Sequence, residues 1–485
     1  MDNRSKVVSN LIWRFFERCG AQLVSFAVSI VLARILEPSL YAPISKVTVI
    51  TAILMVFVDS GMANALIQKK DPDDLDFSSV FYFNVCFCLL LYVALFFAAP
   101  LIAALYKTPQ LTPLVRVLGL TVVVAGIKNV QQAYVSKTMQ FKRFFFATLG
   151  GTLFSAVLGI SMARRGFGVW ALVAQQLSNV TVNTGILWFT VGWRPKAMFS
   201  LERLKGLLGY GWKLLSASLL DTVYLQLYPL LIGIRYADAE LAFFERGRNW
   251  PNLLVENINY SIDSVLLPVM SSQQEHRQQV REMTRRAIKT SSYIMMPLMA
   301  GLAVCAEPLV RLLMTEKWLP AVPFLQVFCV IYAFYPLHTA NLNAIKAMGR
   351  SDVFLKLELL KKALETLILL VTLRFGVLAM ALGQLCSGVA AQLINAWPNR
   401  KLLDYAYLQQ LKDMAPAVLL SLGMAALVST IRFLGLSDWL TLLLQVPAGV
   451  AVYVAGSLLL RIDSFQYVLS ILRRYLPGNR QEVRE

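Results

Sequence analysis

Long apolar stretches alternate along this chain with short polar and basic connections. A helix needs about 20 apolar residues to cross a hydrocarbon core. Stretches of that kind fall near 10–34, 43–68, 77–105, 112–135, 143–163, 167–192, 206–234, 239–270, 289–314, 320–346, 352–373, 376–398, 413–433 and 439–460. The pattern predicts an all-α polytopic membrane protein with about 14 transmembrane helices. Hydrophobic residues make up 57% of the chain and charged ones 15%, too apolar a balance for a soluble domain of this length.

Several of these spans are interrupted on one side only. In the eighth, Glu245, Asn249, Asn252, Glu256, Asn259 and Asp263 are separated by three or four residues, which places all six on one helical face. A charged residue at a lipid-facing helix centre costs about 2.5–3.5 kcal/mol, so a stripe of this length has to face protein or water. Arg246 and Arg248 lie beside it, and Pro251 should loosen the helix there. The first span carries Arg14, Glu17, Arg18, Gln22, Ser25 and Ser29, and the seventh Lys213, Asp221, Tyr224 and Tyr228. Further polar groups are Lys46 and Asp59 in the second span, Lys128, Gln131 and Gln132 in the fourth, and Lys356, Glu358, Lys361, Lys362 and Glu365 in the eleventh. A water-filled cavity of mixed charge accounts for them together, although pairs such as Glu17 with Arg18 could equally lock helices to each other. Gln175, Gln176, Asn179 and Asn183 of the sixth span read as hydrogen-bonding links between helices.

Within such a cavity the bases Arg14, Arg18, Lys128, Lys213, Arg246 and Arg248 suit an anionic head group such as phosphate or pyrophosphate. The carboxylates Asp59, Asp221, Glu245, Glu256 and Asp263 are candidates to carry a coupling ion, because burial raises their pKa toward neutrality. Gln22, Asn249, Asn252 and Asn259 would complete the polar lining.

The chain repeats itself at a shift of about 208 residues. Phe167-Gly168-Val169-x-Ala171 recurs as Phe375-Gly376-Val377-x-Ala379, Ala98-x-Pro100-Leu101 as Ala306-x-Pro308-Leu309, and Lys137-x-Met139 as Lys346-x-Met348 with a one-residue slip. Each copy holds six spans. An even number gives both the same orientation, so the expectation is two six-helix bundles related by a pseudo-twofold along the membrane normal, around a central cavity. The division follows as 1–200, 201–410, and 411–485 for two peripheral helices and a tail.

The formal net charge is +18. These bases are spread over short loops rather than gathered in one domain with interleaved aromatics, which argues for topology signals and against nucleic-acid binding. With the N-terminus inside, 26 Lys and Arg fall in the cytoplasmic segments against eight on the other side. Both termini are therefore expected in the cytoplasm. The first apolar run is too long for a signal peptide and is expected to stay as the first helix. The six cysteines all lie within apolar spans and read as small buried hydrophobes. No metal is expected from two histidines without ligand spacing, no catalytic constellation points to an enzyme, and no Gly-x-x-x-x-Gly-Lys-Ser/Thr loop points to ATP.

Four segments carry a family resemblance: FVDSGMANALIQKK (57–70), FGVWALVAQQL (167–177), EKWLPAVPFLQ (316–326) and KAMGRSDVFLKLELLKK (346–362). They resemble the bacterial polysaccharide exporters of the Wzx type, in the superfamily of multidrug and toxin extruders and the lipid II flippase. The resemblance runs over about residues 10–415. It implies a flippase for undecaprenyl-pyrophosphate-linked oligosaccharide repeat units of a surface polysaccharide, such as lipopolysaccharide O-antigen, capsule or exopolysaccharide. It further implies a bacterial inner membrane, no cofactor beyond a proton or sodium gradient, and a polysaccharide polymerase and chain-length regulator as partners. Two alternatives stay open: a multidrug or small-molecule antiporter of the same fold, which needs no lateral opening for a lipid tail, and a membrane glycan polymerase or ligase, for which the outer loops are short.

Overall fold

The computed structural model describes residues 20–59 and 62–475. Its described residues form helices and connecting turns, with no strand. The chain divides into two compact units, Met1–Ala242 and Phe243–Glu485.

The first unit contains α1 (Gly20–Ile35), α2 (Ala42–Asp59), α3 (Met62–Gln68), α4 (Asp74–Leu105), α5 (Leu111–Lys137), α6 (Phe141–Arg164), α7 (Val169–Thr190) and α8 (Leu201–Arg235). Helix α9 (Asp238–Ser271) begins there and runs into the second unit, which adds α10 (Arg277–Val304), α11 (Ala306–Met314), α12 (Val322–Ala333), α13 (Tyr335–Ala347), α14 (Ser351–Thr372), α15 (Val377–Leu402), α16 (Tyr407–Thr430), α17 (Asp438–Leu459) and α18 (Asp463–Tyr475). Helices thus stand at each of the fourteen expected positions. Among the described residues, nine are long and apolar enough to cross a membrane, taking the segment Glu316–Ala347 as one. Outside that set lie the shorter α1, then α8, α9 and α14, whose charged positions interrupt the apolar run, and α7, which carries the amides; in α8 the stretch 214–234 holds one charge, Asp221. The protein is a multi-pass membrane protein; the count of fourteen rests on the sequence.

Short turns make sequential helices antiparallel neighbours, so α4 packs on α5 and α6 on α7. The first unit has one apolar core built around Leu32, Leu95, Leu111, Leu114 and Ala171, and a second around Leu66, Phe77, Val130, Phe144 and Leu187. Amide side chains tie these helices together. Asn179 on α7 donates to the Ser155 hydroxyl on α6 at 3.2 Å, as its sequence position led one to expect. Gln131, wholly buried, donates to the Trp193 carbonyl at 3.2 Å, and so braces α5 rather than lining a cavity. Ahead of α4, the Asp76 amide donated to Asp73 holds that carboxyl below the usual carboxylate range and caps the helix. Three cysteines, Cys88, Cys305 and Cys329, are buried as expected, whereas Cys86 and Cys386 are exposed on their helices.

Backbone geometry carries a mark of the duplication. Among the residues with positive φ, Lys107 (52°) is matched by Thr315 (76°) and Gly168 (54°) by Gly376 (100°), each pair 208 positions apart, and Met139 (54°) is followed by Gly349 (70°) 210 positions on. At Gly168 and Gly376 the left-handed turn leads straight into α7 and α15, which is what glycine permits at low cost. The duplication and the contact division group α8 differently: the repeat begins near its start, yet it packs on α2, α3 and α4 and so belongs to the first unit.

In the second unit α16 lies along α10, tied by Arg285 to Asp413 (2.7 Å). Tyr405, just before α16, donates to the same carboxylate at 2.7 Å, and burial pushes its hydroxyl pKa well up. Helix α17 joins through Tyr453, whose hydroxyl donates to the Tyr293 carbonyl at 2.8 Å.

Candidate functional site

Helix α9 presents two different faces within the second unit. Phe244, Val255 and Trp250 are buried, and Phe244 meets the rings of Phe324 and Phe328 on α12 at 6.0 and 5.4 Å. The polar face carries Glu245, Asn249, Asn252, Glu256 and Asn259. Arg248 pairs with Glu245 one turn back at 2.9 Å, and Asn252 donates to Glu256 one turn on at 2.7 Å. Asn249 and Glu256 are exposed, Asn252 is half-buried and Asn259 is buried. Neither atom of the Asn259 amide has a hydrogen-bond partner among the described residues. Leaving such a group unsatisfied costs about 1–3 kcal/mol, so its retention inside a helix of this kind points to a polar ligand or water. Arg246 stands off this face. Its guanidinium lies 5.1 Å over the ring of Trp318, a wholly buried residue.

A second polar zone of the same unit joins α13, α14 and α15. His338 Nδ1 and the Asn395 amide nitrogen are 2.6 Å apart. Lys361 is only 5% exposed and pairs with Glu358 at 2.6 Å. Nearby on the same helices, Asn341 accepts from Asn399 (2.6 Å) and from Gln410 of α16 (3.0 Å), with all three wholly buried. Lys361 and Glu358 stood among the polar groups read from the sequence in the eleventh span. His338, Asn341, Asn395 and Asn399 did not, although Asn395 and Asn399 stand one turn apart on α15, and His338 and Asn341 one turn apart on α13, a spacing that would have revealed both.

The first unit holds Lys46 near the start of α2. Its side chain is 3% exposed and meets Asp238, 33% exposed, at 2.6 Å. Its ammonium also lies 5.3 Å over the Tyr106 ring and 3.4 Å from the Thr108 hydroxyl. Lys128 on α5 and Gln22 on α1 are half-buried, and Asp221 is exposed on α8. Arg14 and Arg18 lie outside the described residues, as do the side chains of Asp59, Lys213 and Asp263. Among the described residues no group of three or more His, Cys, Asp or Glu gathers closely enough to hold a metal ion.

A family model described as polysaccharide biosynthesis protein matches residues 31–323. The chain is 28% identical over 311 residues to the teichuronic acid biosynthesis protein TuaB of Bacillus subtilis (strain 168), an alignment covering 62% of this chain and 63% of that relative, under two thirds of its length. It is 21% identical over 476 residues to the succinoglycan biosynthesis transport protein ExoT of Rhizobium meliloti (strain 1021), covering 98% of this chain and 96% of the relative. Among solved structures, the lipid II flippase MurJ in its inward closed conformation superposes with a TM-score of 0.75 at 16% identity, covering 94% of this chain and 99% of that one. The fold is MurJ-like.

Proposed function

Since this chain belongs to the polysaccharide biosynthesis protein family, we propose that it flips undecaprenyl-pyrophosphate-linked oligosaccharide repeat units from the inner to the outer leaflet of a bacterial inner membrane. Transport proceeds by alternating access, driven by a proton or sodium gradient, with both termini in the cytoplasm. The observation that carries the reading is the polar face of α9, where Glu245, Asn249, Asn252, Glu256 and the buried amide of Asn259, without a hydrogen-bond partner among the described residues, run along a helix of membrane-crossing length. Sugars are recognised through hydroxyls, and a row of amides and carboxylates offers both donors and acceptors to them.

Two similar proteins add support: ExoT is a transport protein of succinoglycan biosynthesis, and MurJ is a lipid II flippase. In this reading Arg14, Arg18, Lys128, Lys213 and Arg248 supply positive charge for the pyrophosphate, with Arg248 partly neutralised by Glu245, and Arg246 adds its charge from beside the polar face, over Trp318. Asp59, Asp221, Glu245, Glu256 and Asp263 are the groups through which the gradient acts. A polymerase and a chain-length regulator then use the flipped unit.

Alanine at Arg18, Lys128 or Arg246 is expected to lower surface polysaccharide output about tenfold, the size of one lost charge-assisted contact, at unchanged membrane insertion. Output is measured against protein level in the membrane fraction. Wild-type output from all three variants would remove the cationic lining from the account.

A further inference from the structure

The loop before α6, the first turns of α6 and the end of α7 form an open groove that the transport reading does not use. It has a volume of about 460 Å³ and is lined by Gln140, Lys142, Arg143, Phe146 and Thr190. Two of these five side chains are cationic and none is acidic. Lys142 is exposed and Arg143 half-buried. Arg143 donates to the carbonyl of Thr190, the last residue of α7, and Lys142 lies 5.9 Å over the ring of Phe146. The groove opens at the first turn of α6, which no side chain caps, so its leading amides add positive potential there.

Phe146 of the lining and two sequence neighbours of lining residues are exposed apolar side chains. Phe189 is 90% exposed, Met139 56% and Phe146 50%. Helix α6 is one of those long and apolar enough to cross a membrane, so Lys142 and Arg143 in its first turn stand at the depth where hydrocarbon gives way to head groups. Exposed rings beside paired cations are the combination that a lipid meets with its acyl chains and its phosphate.

We propose that this groove binds the phosphodiester head of an anionic phospholipid, with Lys142 and Arg143 on the phosphate and Phe146 and Phe189 along the acyl chains. The basic loops 69–76, 136–143 and 193–205 meet at one end of the unit, where Lys137 donates to the Ile67 carbonyl and Lys196 pairs with Asp74. By their charge this is the inner-leaflet side, where anionic lipids concentrate.

The test is native mass spectrometry of the purified full chain with phosphatidylglycerol, or with phosphatidylcholine of matched chains. Wild type should retain phosphatidylglycerol adducts preferentially. Lys142→Gln should weaken them about fivefold, the share of one basic residue near an anionic lipid surface. Because Arg143 also holds the end of α7, Arg143→Gln is read only alongside its thermal stability, and Lys142→Gln carries the decision. Arg164→Gln, at the far end of the same helix, should change nothing. Equal adducts in wild type and Lys142→Gln, or equal loss in Arg164→Gln, would overturn the site. Displacement of the lipid by millimolar inorganic phosphate, or by undecaprenyl pyrophosphate in preference to phosphatidylglycerol, would overturn the assignment to a phospholipid.

Discussion

Asp238→Asn is expected to destabilise the protein by about 3–5 kcal/mol, the loss typical when one partner of a buried ion pair is removed. The size follows from the unequal surroundings of the two groups. Lys46 is almost fully enclosed and Asp238 is one-third exposed, so removing the carboxylate strands an ammonium that solvent does not reach. The Thr108 hydroxyl at 3.4 Å and the Tyr106 ring do not replace a charge at 2.6 Å. The reverse change, Lys46→Met, leaves a carboxylate in contact with its surroundings and should cost only about 1 kcal/mol. The double variant Lys46→Met/Asp238→Asn should recover most of the loss. Unfolding in detergent micelles of wild type, both single variants and the double variant closes the cycle. Equal losses in the two single variants would show that the pair is not buried as the geometry has it.

Gly247→Leu is expected to abolish export and to destabilise by about 3 kcal/mol, at the upper end of overpacking costs, with Gly247→Ala at about 1–2 kcal/mol. A Cβ on Gly247 would stand 2.6 Å from Phe324 Cβ and 2.7 Å from the backbone nitrogen of Leu325. The second of those is helix backbone, so no side-chain rotation relieves it and α9 has to move off α12. Moving α9 carries Glu245, Asn249, Asn252 and Glu256 with it, which is why output should fall further than stability alone accounts for. Polysaccharide output and unfolding are measured on the same preparations. A Gly247→Ala protein with wild-type stability and output would contradict the close packing of these helices.

The positions of the helices were legible because membrane-length apolar runs have few alternatives, and the duplicated motifs reappear as matched positive-φ turns at Lys107 and Thr315 and at Gly168 and Gly376. The polar face of α9 was legible for the same reason: spacings of three and four fix which residues share a side. Neighbours across helices were not. Periodicity gives the face on which Lys46 stands but not that its partner lies 192 residues further on. It places Arg246 one residue off the stripe without naming Trp318 beneath it. The Asn341, Asn399 and Gln410 cluster draws single residues from three helices, and the spacing within any one of them does not disclose that they meet. Gln131 shows the converse error, since a polar residue in a span can serve a backbone carbonyl as readily as a cavity.

The central claim is tested most directly by locating the lipid-linked repeat unit by leaflet in cells lacking this protein, with an impermeant glycan-modifying reagent on intact and opened membrane vesicles. Repeat units that accumulate and react only once the cytoplasmic leaflet is accessible are the predicted result, relieved by the wild-type chain. Accumulation on the outer leaflet would place the protein at a later step and contradict the account, and normal polysaccharide with no accumulation would contradict it as well.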